Sequence, residues 1–292
     1  MLLSGFPKSI ATEVALAVNL PEGMSMSLHE HQTLRHPVVL RTLEVLRVDR
    51  LTPHMQRVTL GGDELRGFLS AAPDNHVKLF FPNADGELVT PTLGPNGPEY
   101  PPGREPSPMR DYTPRRHDVA RNELTIDFVL HGDGPASNWA AQAAPGQRIG
   151  AGGPRGSFVV AGDFDHYVLV GDETALPAVG RWLEEMPAGA HADVLMEIPE
   201  ASDRQPLASA ASITVQWLHR EGKAAGRSVL LEQALRALPS TPGDTFYWIA
   251  AESRRARTMR LFLDNERGVP KEWIRATGYW KSEKDDDAEA MT

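Results

Sequence analysis

No cysteine occurs anywhere in the chain, which excludes disulfides, thiolate metal sites, iron–sulfur clusters and cysteine nucleophiles together. Any redox chemistry therefore has to come from a bound organic cofactor. Positive charge is in short supply: 30 Lys and Arg stand against 39 Asp and Glu, a formal charge of −9. General nucleic-acid binding needs a basic surface, so no nucleic-acid partner is expected, although a local basic pocket is compatible with the total. Long apolar runs are missing as well. Nothing approaches the roughly 18 to 20 apolar residues that a spanning helix needs. The apolar piece at 10–20 is interrupted by Thr12, Glu13 and Asn19 with no secretory cleavage pattern after it, so an appended segment of a cytoplasmic protein without stable membrane association is expected.

What is present is ordinary globular material. With 292 residues, 41% hydrophobic and 24% charged, the chain can form two domains with a core each. Residues 1–36 read as an extension. His29, His31 and His36 near its end lack the helical spacing and carboxylate neighbours of a metal site, so a polar tail is the expectation and no metal is assigned. Alternating apolar and polar residues then predict strands over 39–48, 55–60, 76–81, 110–116, 124–130 and 147–150, with one helical piece at 136–143. Between the third and fourth, 91–108 is rich in Pro and Gly, and a regular element is not expected there. Several short strands separated by turns form an antiparallel β-barrel. After Gly162 the rhythm changes to strands at 166–170, 192–198, 213–218, 245–251 and 273–280, with helices at 175–186, 228–238 and 254–266. That alternation predicts a parallel α/β domain whose ligands lie at the carboxyl ends of its strands. The expected division is 1–36, barrel 37–162, α/β domain 163–281, and an acidic tail 282–292.

Four stretches carry chemistry. At 109–116 the chain reads Met-Arg-Asp-Tyr-Thr-Pro-Arg-Arg. It offers an aromatic face, a hydroxyl and guanidinium forks, the parts a planar heteroaromatic with a phosphate tail needs. An edge strand with solvated arginines is the alternative. His131-Gly-Asp-Gly-Pro-Ala-Ser137 sits between a strand end and a helix start, where free amides suit a pyrophosphate, the alternative being a glycine turn with Ser137 as cap. A further close-approach loop, or plain interdomain turn, is 150–157, with Gly153 and Arg155 in it. The α/β domain has no Gly-x-Gly-x-x-Gly fingerprint. Its first strand ends in Gly171-Asp-Glu-Thr-Ala-Leu-Pro-Ala178, with Thr174 as helix cap and Pro177 in the first turn. Two acids there suit ribose or carboxamide hydrogen bonds better than phosphate.

These motifs, in this order and followed by Trp248-Ile-Ala-Ala-Glu252 and Gly278-Tyr-Trp280, resemble the siderophore-interacting protein family of ferric-siderophore reductases over about 37–281. The resemblance implies a flavin-binding barrel that holds FAD, joined to an α/β domain that binds NADH or NADPH, together reducing the iron of an imported ferric siderophore. It implies that Arg110, Tyr112, Thr113 and Arg115 hold the flavin and Ala136 and Ser137 its pyrophosphate, with His131 and Gly153 counted among the cofactor contacts. Asp172, Glu173, Thr174 and Ala175 would line the nicotinamide cleft and Glu252 would close it. The chain departs from the family pattern in carrying Ala250-Ala251-Glu252 where a glycine precedes the acid, and in following Gly278-Tyr-Trp with Lys281-Ser-Glu. No protein acid, base or nucleophile is obligatory for this chemistry. A flavin reductase, a ferredoxin-coupled electron carrier, and a siderophore-binding protein without turnover are the alternatives.

Two readings rest on position alone. Glu197 ends the second strand of the α/β domain, where an acid receives the ribose hydroxyls of NADH, whereas Arg204 and Arg220 would favour a 2′-phosphate; NADH is the expected donor. Lys78, Arg155 and Lys281 come from distant segments and are expected to converge beside the flavin as a basic dock for an anionic ferric chelate.

Overall fold

The computed structural model describes residues 29–282 apart from Asn96 and Asp133; the apolar piece at 10–20 and the acidic stretch at 283–289 lie outside the described residues. The first half contains strands β1 (Gln32–Arg35), β2 (Leu40–Thr52), β3 (Met55–Gly61), β4 (Val77–Phe80), β5 (Thr92–Gly94), β6 (Gly97–Glu99), β7 (Met109–Tyr112), β8 (Pro114–Asp118) and β9 (Glu123–Val129). Helix α1 (Pro135–Ala141) and strands β10 (Arg148–Gly152) and β11 (Gly156–Val159) follow. Seven of these strands form one antiparallel sheet in the order β7-β4-β10-β2-β3-β9-β8. Its two edge strands are consecutive in the chain, with only Thr113 between them, so the backbone passes from one edge to the other and closes the barrel. The single strand expected over 110–116 is thus two. Pro114 has no amide to continue a ladder, and the β8–β9 register shifts between Pro114 and Arg116.

Alternation sends Leu43 and Val45, Val58 and Leu60, and Leu124, Ile126 and Phe128 into the barrel interior. Each such buried side chain contributes roughly 1.5–3 kcal/mol. Four strands were not foreseen. β5 and β6 form a short hairpin inside the Pro-rich stretch, and β1, within the expected extension, pairs antiparallel with β11, at the end of the 150–157 loop, from Gln32↔Val159 to Arg35↔Gly156.

The second half contains β12 (His166–Gly171), α2 (Leu176–Glu185), β13 (His191–Ile198), β14 (Ser212–His219), α3 (Leu230–Ala237), β15 (Thr245–Glu252), α4 (Ser253–Leu261) and β16 (Ile274–Trp280). The strands are parallel in the order β14-β13-β12-β15-β16. β12 and β15 are nearly continuous apolar runs because both faces are covered. One face packs Val179, Trp182 and Leu183 of α2; the other packs Leu231 and Leu235 of α3 and Met259 of α4. The last helix stops as α-helix at Leu261 and continues as a wider π-type turn, Phe262–Glu266. Among the described residues no helix is long and apolar enough to cross a membrane.

The two sheets share a seam. Met55, at the barrel's β2–β3 turn, lies within the α2-side core cluster of the parallel sheet, with Leu51 and Val129 packed against it. Chain order in that sheet reverses at β12, and the crevice beyond the carboxyl ends of β12 and β15 opens there, where such folds place ligands.

Candidate active site

On the barrel side, β7 carries Arg110 and Tyr112. Tyr112 packs 4.5 Å from Phe128 and 6.4 Å from Phe81, and Phe81 and Phe128 each lie 5.5 Å from Trp139 of α1. The strand and the helix therefore stand on one aromatic cluster. Arg110 is exposed, its Nη1 donating to the carbonyl of its neighbour Met109 at 2.8 Å. Thr113, between the two edge strands, is buried. α1 starts at Gly134 without a side-chain cap and with Pro135 in its first turn, so the amides of Ala136 and Ser137 have no partner within the helix. The Ser137 hydroxyl is used locally, accepting the amide of His131 at 3.0 Å. Gly153, at φ 91°, is held by Val39 and Arg41 on the β10 side of the barrel.

On the parallel-sheet side, β12 delivers Asp172 into the crevice. Gly171 has to be glycine: a Cβ there would strike the Cβ of Ala175, which the tight turn folds back over it. Asp172 is fully buried. Its Oδ1 accepts the amide and hydroxyl of Thr174 at 3.0 and 2.5 Å, and its Oδ2 accepts the indole Nε1 of Trp280 at 2.8 Å. The cap of this turn is therefore Asp172, and Thr174 is the capped residue, reversing the expected roles. Burial, with the Glu173 charge beside it, pushes the Asp172 carboxyl up to about 6. Glu252, at the end of β15, caps α4 by accepting the amides of Arg254 and Arg255.

The acids and arginines next to this crevice are already committed to one another. Glu173 binds Arg220 through both oxygens, at 2.5 and 2.6 Å. Glu197 is fully buried, bidentate with Arg255 at 2.7 and 2.9 Å, and it also accepts Ser228 Oγ at 2.8 Å. Arg255 reaches Glu232 as well. Both oxygens of Glu197, expected to receive a ribose, are engaged in this buried network. Arg220 is likewise withdrawn from any phosphate. Arg204 is the open member. It is exposed at the carboxyl ends of β13 and β14, its Nε donating to His219 Nε2 at 3.1 Å, and its neighbour Asp203 is fixed by the amide and Nδ1 of His54 in the barrel turn.

The halves meet through a second set of polar contacts that a linear reading missed. Arg115, expected at the flavin, forms a two-pronged pair with Glu184 of α2 at 2.9 and 2.5 Å, and its guanidinium would lie 3.0 Å from a Cβ on Gly180. Arg181 of α2 reaches back to Ser70 Oγ at 2.8 Å and the carbonyl of Pro114 at 3.1 Å. Asp74, a buried barrel residue, accepts Arg275 Nε at 2.5 Å and Trp248 Nε1 at 3.3 Å. No local pattern announces Asp74, whose partners lie 174 and 201 residues away. Of the basic residues expected to converge, two lie on the barrel and one follows β16. Lys78 and the loop of Arg155 are neighbours on the barrel, since Lys78 pairs with Gly152, and Lys78 is bonded to Asp111 at 2.9 Å. Lys281 follows β16, next to Ser282, which packs on Gly226 of the parallel-sheet half.

A flavin dinucleotide suits this donor set. Uncommitted amides at Ala136 and Ser137 and an exposed guanidinium at Arg110 are donors for an anionic tail, and Tyr112 offers an aromatic ring beside them. Fold and site together define a two-part reductase architecture, with a flavin-type barrel feeding a nucleotide-type parallel sheet. It is shared at the level of fold alone with the ferredoxin reductase of a carbazole 1,9a-dioxygenase (TM-score 0.62, 14% identity, covering 84% of this chain and 70% of that one). The family follows from the sequence. The siderophore-interacting FAD-binding domain matches residues 44–158 and the siderophore-interacting protein domain residues 164–283; the chain belongs to the siderophore-interacting protein family. It is 36% identical over 252 residues to the NADPH-dependent ferric-chelate reductase of Escherichia coli, covering 85% of this chain and 96% of that protein. It is 32% identical over 251 residues to the ferric vibriobactin reductase of Vibrio cholerae, covering 85% and 92%. A solved siderophore utilization protein from T. fusca superposes with TM-score 0.81 at 40% identity, covering 87% and 97%.

Proposed function

We propose that the chain is an FAD-dependent reductase that takes electrons from a nicotinamide nucleotide and delivers them to the iron of a ferric siderophore, releasing ferrous iron. The observation that carries this reading is the packing of α2, the helix that follows β12, on the closing strand β8 of the barrel, through Arg181 to the carbonyl of Pro114 and Arg115 to Glu184. When bound, FAD supplies the conversion between a two-electron hydride donor and a one-electron ferric acceptor. The chain's own residues bind and orient. Arg110 and the amides of Ala136 and Ser137 hold the anionic tail, Tyr112 and Thr113 hold the ring, and Asp172 with Trp280 shapes the nicotinamide cleft. NADPH is the favoured donor, because Arg204 is open to a 2′-phosphate whereas Glu197 has no oxygen to offer a ribose. The names of the Escherichia and Vibrio relatives support the chelate as acceptor.

The test is stopped-flow spectroscopy on the purified protein. Flavin absorption should be present, bleach with NADPH, and recover on adding a ferric siderophore. Arg110→Ala should lose most of the flavin, since a charge-assisted contact of about 1.5–3 kcal/mol is tenfold or more in affinity. Colourless protein, or flavin that never bleaches, would reduce the chain to a siderophore-binding module. Bleaching without recovery on chelate would leave a flavin reductase.

A further inference from the structure

The loop after β13 carries Arg204, and its tip is held by the other half of the molecule. At its base it is tied to its own half, Glu221 donating its amide to the carbonyl of Pro199 at 3.2 Å. It then makes a single 3-10 turn, Ala201–Asp203, which the amide of Arg204 closes on the carbonyl of Ala201 at 3.4 Å and which has no side-chain cap. What fixes the turn is Asp203, a buried residue. One of its oxygens accepts the amide of His54 at 3.1 Å and the other accepts the Nδ1 of the same residue at 2.9 Å. Burial by itself would raise the Asp203 carboxyl, but its hydrogen bonds, that of the His54 ring foremost, hold it below its ordinary value. His54 is a firm anchor. Its neighbour Met55 lies in the α2-side core cluster, and its own carbonyl accepts the amide of Leu130 at 2.8 Å, so the barrel turn is set by its own packing. Arg204 follows Asp203 directly, with an exposed guanidinium whose Nε bonds His219 Nε2 at 3.1 Å. A long cation on an unfixed backbone has to be ordered when it binds an anion, a cost in rotamer and loop freedom that pre-organisation removes.

We propose that His54 is a positioning residue for nucleotide selectivity: by holding Asp203 from the barrel side, it sets the backbone from which Arg204 meets the 2′-phosphate of NADPH. This rests on the reading of Arg204 given above. The barrel half thereby helps to choose the electron donor, although His54 acts only through Asp203. The contact holds in either charge state of the ring, because a neutral imidazole can carry its proton on Nδ1.

His54→Ala keeps the backbone bond to Asp203 and removes the ring bond. In the flavin-loaded full-length protein it should raise the KM for NADPH about three- to tenfold, the size of one hydrogen bond, with kcat near wild type and both constants for NADH unchanged. His54→Asn should restore the NADPH value, because the Asn amide presents an N–H from the γ carbon as the imidazole does at Nδ1. Arg204→Ala should raise the NADPH KM by itself, and adding His54→Ala to it should raise it no further, the non-additivity expected of residues that act through one another. An equal rise for NADH and NADPH, or additive effects in the double variant, would overturn the assignment and leave His54 as a stabilising contact between the halves. So would an unchanged NADPH constant in His54→Ala where Arg204→Ala is impaired. An Arg204→Ala variant indifferent to NADPH would overturn the Arg204 reading and this inference with it.

Discussion

Glu197 and Arg204 show how far a residue's role depends on partners distant in sequence. Both sit at the carboxyl end of the second parallel strand, where a nucleotide's adenosine half would bind, and position alone gives either of them that task. Arg255, from α4, and Ser228 decide the matter by filling both oxygens of Glu197. Arg204 keeps its terminal nitrogens at an exposed surface. The two should therefore fail differently. Glu197→Gln weakens charge-assisted hydrogen bonds to Arg255, which keeps Glu232 as counter-charge, so it should destabilise by about 1.5–3 kcal/mol and leave the KM for nucleotide unchanged in the protein that remains folded. Arg204→Ala should be nearly neutral for stability and raise the KM for NADPH about tenfold, with that for NADH unaffected. Urea unfolding together with the two Michaelis constants checks the pair. A nucleotide defect in Glu197→Gln without loss of stability would return the acid to the nucleotide site. The turn after β12 and the start of α4 were legible because strand ends and helix starts can be read locally; that Asp172 caps Thr174, and that Trp280 covers it, depends on three dimensions.

At the scale of elements, the strap at 29–36 is the largest departure from expectation. A chain rich in His and short of apolar residues reads as tail, yet β1 pairs with β11, and three histidines fasten it. His36 Nε2 meets Ser157 Oγ at 2.8 Å, and His31 bonds the amide of Ala161 and the carbonyl of Glu272. His29 stacks on Phe164 at 3.8 Å, with Nδ1 2.9 Å from Asp163 and Nε2 3.0 Å from Asp244. Both ring nitrogens can donate to these carboxylates only if the ring is protonated. Burial alone would lower the His29 pKa, but the hydrogen bonds and charges of Asp163 and Asp244 outweigh it and raise it above its ordinary 6.5. Its contribution to stability is therefore complete below about pH 6.5 and is lost as pH rises through the raised folded value. The wild-type melting temperature should fall over that alkaline interval more than that of His29→Gln, which donates to one carboxylate at every pH. Parallel melting curves would rule the strap out as a charged clamp. The strands themselves were legible from alternation and continuous apolar runs. The break at Thr113 was not, because one extended segment and two edge strands meeting end to end have the same periodicity.

For the whole molecule, a net charge of −9 poses a docking problem for any anionic ferric chelate. Lys78 pairs with Gly152 and Arg155 lies in the loop that follows, and the two basic residues are not equivalent. Lys78 is already neutralised by Asp111 at 2.9 and 3.1 Å, whereas Arg155 stands exposed in the loop after β10. Lys281 lies beyond β16, against the parallel-sheet half. Arg155→Ala should therefore raise the KM for an anionic triscatecholate complex by about tenfold at low salt, the size of one lost charge-assisted contact. Lys78→Ala should raise it by less, since it also frees the Asp111 charge, and Lys281→Ala should leave it unchanged. The Arg155 effect should shrink as ionic strength rises and the Debye length falls below about 8 Å. Flavin reduction by NADPH should proceed at the wild-type rate in all three, because that step does not involve the chelate. Equal losses for anionic and neutral chelates in Arg155→Ala, or a dominant effect at Lys281, would move the iron dock from the barrel edge to the nucleotide side of the seam.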